Sequence, residues 1–414
     1  MKIKLFTLVI LWSYGVLAYD YHCSKRSALL LLKRPAYDFS VKLLQRVSED
    51  TDSHFVFSPM STWLQLTALA DGATGSTFRE IWNVTKHHRN RCFKKKLSQI
   101  LYTLNTELRY ESKRKSVIAM DKLIGVKSSY VREIQKLYGI KIMLLDFNEP
   151  MKAASKVNKA VEDGTGGVID QIVYYDDFMS TVLLMSDANF FRSEWKIPFN
   201  SAYTKLQPFY SSQGVQVGEV SMMNQIGYFN YVSVPHINAK VLEIPCATSR
   251  ISMLIFLPTN KGWIGEIFYS LKHTRLTSIF NLYKHEGLKL INVTIPRFSQ
   301  RTEVDNLPEL IYDMGIKRIF NPDLAEFRGI SNYKMYTSLM TQVTDIEVNE
   351  KGVQAGVTAD FLVGNGTVTE FFVNRPFAYI IVDKITEFIL FAGMYSVPSV
   401  REDVKISFDV FSEV

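Results

Sequence analysis

The chain has 414 residues, 47% of them hydrophobic and 13% aromatic, which is enough apolar matter for a large core and too much for a disordered chain. Its formal charge of +7 permits contact with polyanions, but no nucleic-acid-binding motif accompanies it, so a nucleic-acid partner is not expected. The three cysteines, Cys23, Cys92 and Cys246, allow at most one internal disulfide, fit no zinc spacing and are read as isolated side chains.

Taken from the start, Lys2 and Lys4 precede an apolar stretch from Leu5 to Leu17, with small residues Val16 and Ala18 at its end. That order predicts a secretory signal peptide over residues 1–18. The stretch is short for a membrane span and no longer one follows it, so a secreted, extracellular chain without a membrane anchor is expected. Loss of Lys2 and Lys4 lowers the charge to +5. The secretory route makes the Asn-x-Ser/Thr sequons at Asn83, Asn292 and Asn365 candidate glycosylation sites.

Residues 19–34 read as an N-terminal extension. Pro35, Ala36, Phe39, Leu43, Leu44 and Val47 follow at helical spacing and predict a helix with proline in its first turn. Phe55, Val56 and Phe57 predict a strand that breaks at Ser58-Pro59 into a helix through Trp63, Leu64, Leu66, Ala68 and Leu69, stopped between Gly72 and Gly75. Lys86, Arg89, Arg91, Lys94, Lys95 and Lys96, with His87 and His88, run into a helix beginning near Phe93, and Arg109, Lys113, Arg114 and Lys115 follow it. Such a charge run is either a solvated helix face or a polyanion-binding site. Runs rich in Val, Ile and Phe at 182–191, 241–244, 251–257, 288–295 and 388–391 predict buried strands. Helical patterns dominate the first half and strands the second, which predicts an α+β fold. No linker, repeat or low-complexity tract divides residues 35–398, so one monomeric domain is expected, followed by a tail at 399–414.

Several segments, in order, carry a family pattern. They include Ser58-Pro59-Met60-Ser61, then Asp71-Gly72-Ala73-Thr74-Gly75, Phe191-Arg192-Ser193-Glu194-Trp195, Pro296-Arg297-Phe298, Phe327-Arg328-Gly329-Ile330-Ser331, Glu347-Val348-Asn349-Glu350-Lys351-Gly352, Asn374-Arg375-Pro376-Phe377 and Phe391-Ala392-Gly393. Together they resemble the serpins. The resemblance implies three β-sheets with about nine helices and an exposed reactive-centre loop at about 350–376. It also implies a suicide inhibitor of a serine protease, whose loop is cleaved and inserts into the main sheet. A non-inhibitory serpin acting as an extracellular binding or regulatory protein is the alternative. Two departures stand out: the family usually has asparagine where this chain has Asp187 and histidine where it has Gln342. An Asp–Gln hydrogen bond is one way to accommodate them.

Read in steps of two, Val353, Ala355, Val357, Ala359, Phe361 and Val363 are all apolar, and Gln354, Gly356, Thr358, Asp360, Leu362 and Gly364 form the other parity. That is the pattern of a half-buried strand, in a segment the resemblance makes a loop. Glu350 and Gly352 head this hinge and inserting segment. Val353 stands where inhibitory relatives carry Thr or Ser. Counting by the family's spacing from the two ends places the reactive bond among Asn365, Gly366 and Thr367. None of these suits a trypsin-like enzyme, whereas Leu362 or Phe371 would attract a chymotrypsin-like one out of register. In heparin-binding relatives the helix after the basic run carries the polyanion site, which here implies Arg89, Arg91, Lys94, Lys95 and Lys96 and a glycosaminoglycan partner. No Gly-x-Ser-x-Gly elbow, His-Glu-x-x-His, Walker loop or dinucleotide fingerprint is present, so neither catalysis nor a metal or cofactor is expected.

Overall fold

The computed structural model describes residues 24–51, 54–88, 90–109, 111–352 and 368–398. The expected signal peptide, the tail, Arg89, the inserting positions Val353, Ala355, Val357 and Ala359, and the reactive-bond residues Asn365, Gly366 and Thr367 lie outside the described residues.

Among the described residues there are nine α-helices: α1 (Lys25–Asp50), α2 (Pro59–Gly72), α3 (Gly75–Thr85), α4 (Arg91–Glu107), α5 (Ser128–Tyr138), α6 (Pro150–Thr165), α7 (Glu266–Leu271), α8 (Leu276–Glu286) and α9 (Leu307–Asp313). The first starts earlier than its spacing predicts. Ser24 caps it, accepting from the Ser27 amide at 3.1 Å while the Ser27 hydroxyl accepts from the Ser24 amide at 2.9 Å. Pro35 therefore lies inside α1 rather than in its first turn. An interior proline costs about 3 kcal/mol, but Leu32 and Ala28, about one and two turns before it, are buried in the core and hold the extra length in place. In α2 only Asp71 escapes burial. A helix apolar nearly all round belongs in a core, and α2 passes through the middle of this one.

Fourteen strands are described. β2 (Ser112–Asp121), β3 (Lys141–Leu145), β4 (Leu183–Arg192), β10 (Phe298–Val304) and β11 (Leu339–Val348) form a five-stranded sheet in the order β10-β11-β4-β2-β3. The other nine are β1 (Phe55–Phe57), β5 (Lys205–Tyr210), β6 (Gln216–Val234), β7 (Ala239–Pro245), β8 (Ile251–Pro258), β9 (Leu288–Pro296), β12 (Thr369–Phe372), β13 (Phe377–Asp383) and β14 (Phe388–Tyr395). Their ladder is continuous through the 19-residue β6. The first part of β6 pairs with β5 and β9, and its last five residues pair with β7. The nine strands thus make two sheets sharing β6, and the α+β expectation of three sheets is met.

The strand β4 explains the apolar run at 182–191, which only Ser186, Asp187 and Asn189 interrupt. Leu183 and Met185 face the main core around α2, while Leu184 and Ala188 face a second core under α6, so both faces are dry. Cys92, half-buried in the first turn of α4, is disulfide-bonded and Cys246 is a free buried thiol, which corrects the reading of three isolated cysteines.

Candidate functional site at the seam between two parallel strands

β4 and β11 are parallel neighbours, in register from Leu184 opposite Leu339 to Arg192 opposite Glu347. At the upper end of this seam the chain leaves β11 and enters the hinge. Trp195, fully buried, donates from its indole Nε1 to the Asn349 carbonyl at 2.7 Å and from its amide to the Lys351 carbonyl at 3.0 Å. The Phe199 amide donates to the Glu350 carbonyl at 3.0 Å. The Glu350 carboxylate accepts from the Thr204 hydroxyl at 2.8 Å and lies 3.7 Å from Arg297. Gly352 forms an isolated bridge with Trp195, and a Cβ there would sit 2.4 Å from the Trp195 carbonyl oxygen. Only glycine passes at that distance. The segment 192–204 therefore clamps the near end of the hinge, and Arg192 closes the last pair of the seam before it, donating from Nε to Glu347 at 2.7 Å.

Beneath the seam lies a buried polar network. Ser58, where α2 begins, donates its amide to Gln342 Oε1 at 2.7 Å; Gln342 Nε2 returns bonds to the Ser58 carbonyl and the Thr62 hydroxyl, each at 3.1 Å. The side chain of Gln342 thus binds β11 to the N-terminus of α2. Ser58 Oγ donates to the Leu390 carbonyl at 2.7 Å, and Ser61 Oγ donates to Asn189 Oδ1 at 2.7 Å. Asp187 is the register partner of Gln342, yet its carboxylate makes no hydrogen bond to the amide. Its partner is Arg114 on β2, whose Nη2 lies 3.2 Å from Oδ1 and whose Nε donates to Ser61 Oγ at 2.9 Å. The expected Asp–Gln accommodation is corrected: the buried carboxylate is offset by a cation. Burial pushes the Asp187 carboxyl up to about 6, with the Arg114 charge pulling the other way.

Sequence reasoning placed Arg114 in the surface cluster and missed this pairing. It also missed Glu111, in the turn before β2. Glu111 is 3% exposed, and burial followed by the nearby Glu194 charge pushes its carboxyl up to about 7 against the opposing pull of the Ala247 backbone. Nothing in the sequence around Glu111 marks it as buried.

The other sequence-derived positions are scattered. Arg91 and Lys95 are exposed on α4 and Lys96 is half-buried, donating to Gln99 at 3.3 Å. Lys94 points inward and pairs with Asp71 at 2.5 Å, and Tyr138 donates to the same carboxylate at 2.9 Å. It belongs to the packing of α4 on α2, not to the basic surface. Asn83 is exposed near the end of α3. Asn292 is half-buried within β9, accepts from Asn224 Nδ2 at 2.8 Å and donates to Glu370 at 3.0 Å. On the far side of the loop, β12 begins at Thr369 and pairs in parallel with β9. Phe371 is 1% exposed there, so the idea that it attracts a protease is corrected: its ring is held in the core against Tyr231.

Comparison with known proteins places this architecture. A family model described as Serpin (serine protease inhibitor) matches residues 35–398. A serpin-like protein of the archaeon Methanosarcina acetivorans is 28% identical over 88% of this chain and 86% of its own. Human serpin B3 is 27% identical over 87% of this chain and 97% of its own. Among solved structures, native protease nexin-1 with heparin superposes with a TM-score of 0.80 at 23% identity, covering 90% of this chain and 99% of that one. Maspin gives a TM-score of 0.80 at 22% identity, covering 90% and 100%.

Proposed function

The chain belongs to the serpin family, and we propose that it is a secreted suicide-substrate inhibitor of an extracellular serine protease that is not trypsin-like. The observation that carries this reading is the parallel pairing of β4 and β11 in a sheet whose ladders β10–β11 and β4–β2 are antiparallel. A segment that leaves β11 and reverses direction runs antiparallel to both flanking strands, so insertion would replace one parallel ladder by two antiparallel ones. The residues from Val353 to Val363 carry the alternating pattern such a strand requires. In this reading the protease serine acylates on the carbonyl of a bond among Asn365, Gly366 and Thr367, and insertion of the freed loop carries the acyl-enzyme away before water resolves it.

A glycosaminoglycan partner is part of the same proposal. It is supported by the exposed cations Arg91 and Lys95 on α4 and by the likeness to the protease nexin-1 structure with heparin. The test of the main reading is incubation with elastase-like, chymotrypsin-like and trypsin-like proteases. The expected result is a denaturant-resistant 1:1 complex with a non-trypsin-like enzyme. Loop cleavage without a complex and without a gain in thermal stability would instead assign the chain to the non-inhibitory serpins, as a binding or regulatory protein.

A further inference from the structure

A cleft of about 580 Å³ runs between α1 and the segment that joins α7 to α8, on a part of the molecule separate from the seam and from the basic face of α4. It lies within the range of small-ligand sites. Its walls are fixed by three cross-links. Tyr37 donates to the Leu271 carbonyl at 2.9 Å, Gln45 donates to the Phe268 carbonyl at 3.1 Å, and the Tyr269 hydroxyl donates to Glu49. The buried Tyr37 and Val41 supply an apolar wall.

The charge of this cleft is unbalanced. Five cations line it, Arg34, Lys42, Arg46, Lys272 and Arg275, against two carboxylates, Asp38 and Glu49. Both carboxylates are spoken for: Arg34 lies 3.3 Å from Asp38, and Arg46 lies 3.9 Å from Glu49. Lys42 turns its ammonium to the Met314 carbonyl at 2.9 Å. Lys272 and Arg275 make no ion pair among the described residues and are exposed to the cleft's solvent. The Lys42 ammonium is held below the usual lysine range by burial and then by its neighbours Arg46 and Lys272. Like charges gathered on a rigid, partly apolar wall lack the counter-charge that would relieve their repulsion.

We propose that this cleft binds a small anion of the phosphate- or sulfate-monoester class carried on an aromatic or apolar body. The doubly charged head sits among Lys42, Lys272 and Arg275, where charge-assisted hydrogen bonds are strongest, and the body lies against Tyr37 and Val41. The size of the cleft and its apolar wall favour such a molecule over a long polyanion, which needs an open, extended track of cations.

The test is calorimetric titration of the full chain with 1-naphthyl phosphate, with inorganic phosphate and 1-naphthol as the two halves of the ligand. Expected are saturable binding at one molecule per chain, each half binding about tenfold or more weakly, and a loss of about tenfold for Lys272→Gln and for Arg275→Gln. Lys284→Gln, on the exposed face of α8, leaves binding unchanged. Near-UV circular dichroism checks that each variant folds. Lys272 makes no ion pair among the described residues, so its variant tests the site even if Arg275→Gln does not fold. Absence of saturable binding, or binding that both substitutions leave intact, would overturn the proposal. So would a heparin chain that binds more tightly than 1-naphthyl phosphate and is lost in the same two variants.

Discussion

Arg114 on β2 and Asp187 on β4 face each other at 3.2 Å beneath the seam, both largely shut off from water, where the sequence has a carboxylate in place of the family's usual amide. A buried ion pair contributes little net stability over an apolar or neutral replacement, but removing one member leaves a buried charge with no partner.

Arg114→Ala is therefore expected to cost about 3 kcal/mol of stability near pH 8. The cost shrinks near pH 5, where the unpaired Asp187 escapes its penalty by taking up a proton. Asp187→Asn in the same background restores most of the loss, because a neutral amide needs no cation. Urea denaturation of the two single variants and the double variant at both pH values measures this, and an Arg114→Ala cost that does not depend on pH would contradict it.

Glu111 gives the chain a second pH dependence. Burial raises its carboxyl from 4.5 to about 7, so between those values the folded chain keeps a proton that the unfolded chain has released. The stability contributed by this group is full below about 4.5 and is lost as the pH rises through about 7. Glu111→Gln should thus leave stability near pH 4.5 almost unchanged and raise it near pH 8, by about 3 kcal/mol at most. Asp187 acts with the same sign from 3.8 to about 6, so the difference between Glu111→Gln and the unsubstituted chain isolates the Glu111 share.

At the hinge, Gly352→Ala places a Cβ where 2.4 Å separates it from the Trp195 carbonyl. One of the two segments has to move, at a cost of about 1–3 kcal/mol typical of overpacking. A lowered melting temperature is expected, together with faster proteolysis of the loop as the bonds from Trp195 to Asn349 and Lys351 loosen. Limited proteolysis with thermal unfolding checks both, and an unchanged cleavage rate would show that the clamp does not restrain the loop.

The basic helix divides into surface and packing lysines. Lys95→Gln and Arg91→Gln are expected to lower the salt concentration at which the chain leaves a heparin column while changing stability by less than about 0.5 kcal/mol. Lys94→Gln is expected to do the reverse. It strands the Asp71 carboxylate, already raised by burial, and costs about 2 kcal/mol or more with little change in elution.

Much of this molecule was legible in the chain itself. The runs at 182–191, 251–257 and 388–391 announce strands because a strand dry on both faces is apolar at most of its positions, and β4, β8 and β14 are such strands, with Ser186, Asp187 and Asn189 as polar exceptions in β4. Family membership followed from ordered motifs, and Asp187 could be picked out as a departure from them. Its consequence could not. Arg114 reads as one more cation in a basic run, and only the antiparallel pairing of β2 with β4 brings it under the sheet beside Asp187. Lys94, Phe371 and Glu111 were misread or missed for the same reason. Local composition sets a residue's preference for water, but burial is decided by contacts between segments far apart in sequence, as Lys94 finds Asp71 and Phe371 finds Tyr231. The sequence alone determined the family, several of the elements and the strand pattern of the loop. Which charges are paired, which are buried and where an anion finds unbalanced cations were decided by tertiary structure, because electrostatic energy depends on distance and dielectric, and neither is written along the chain.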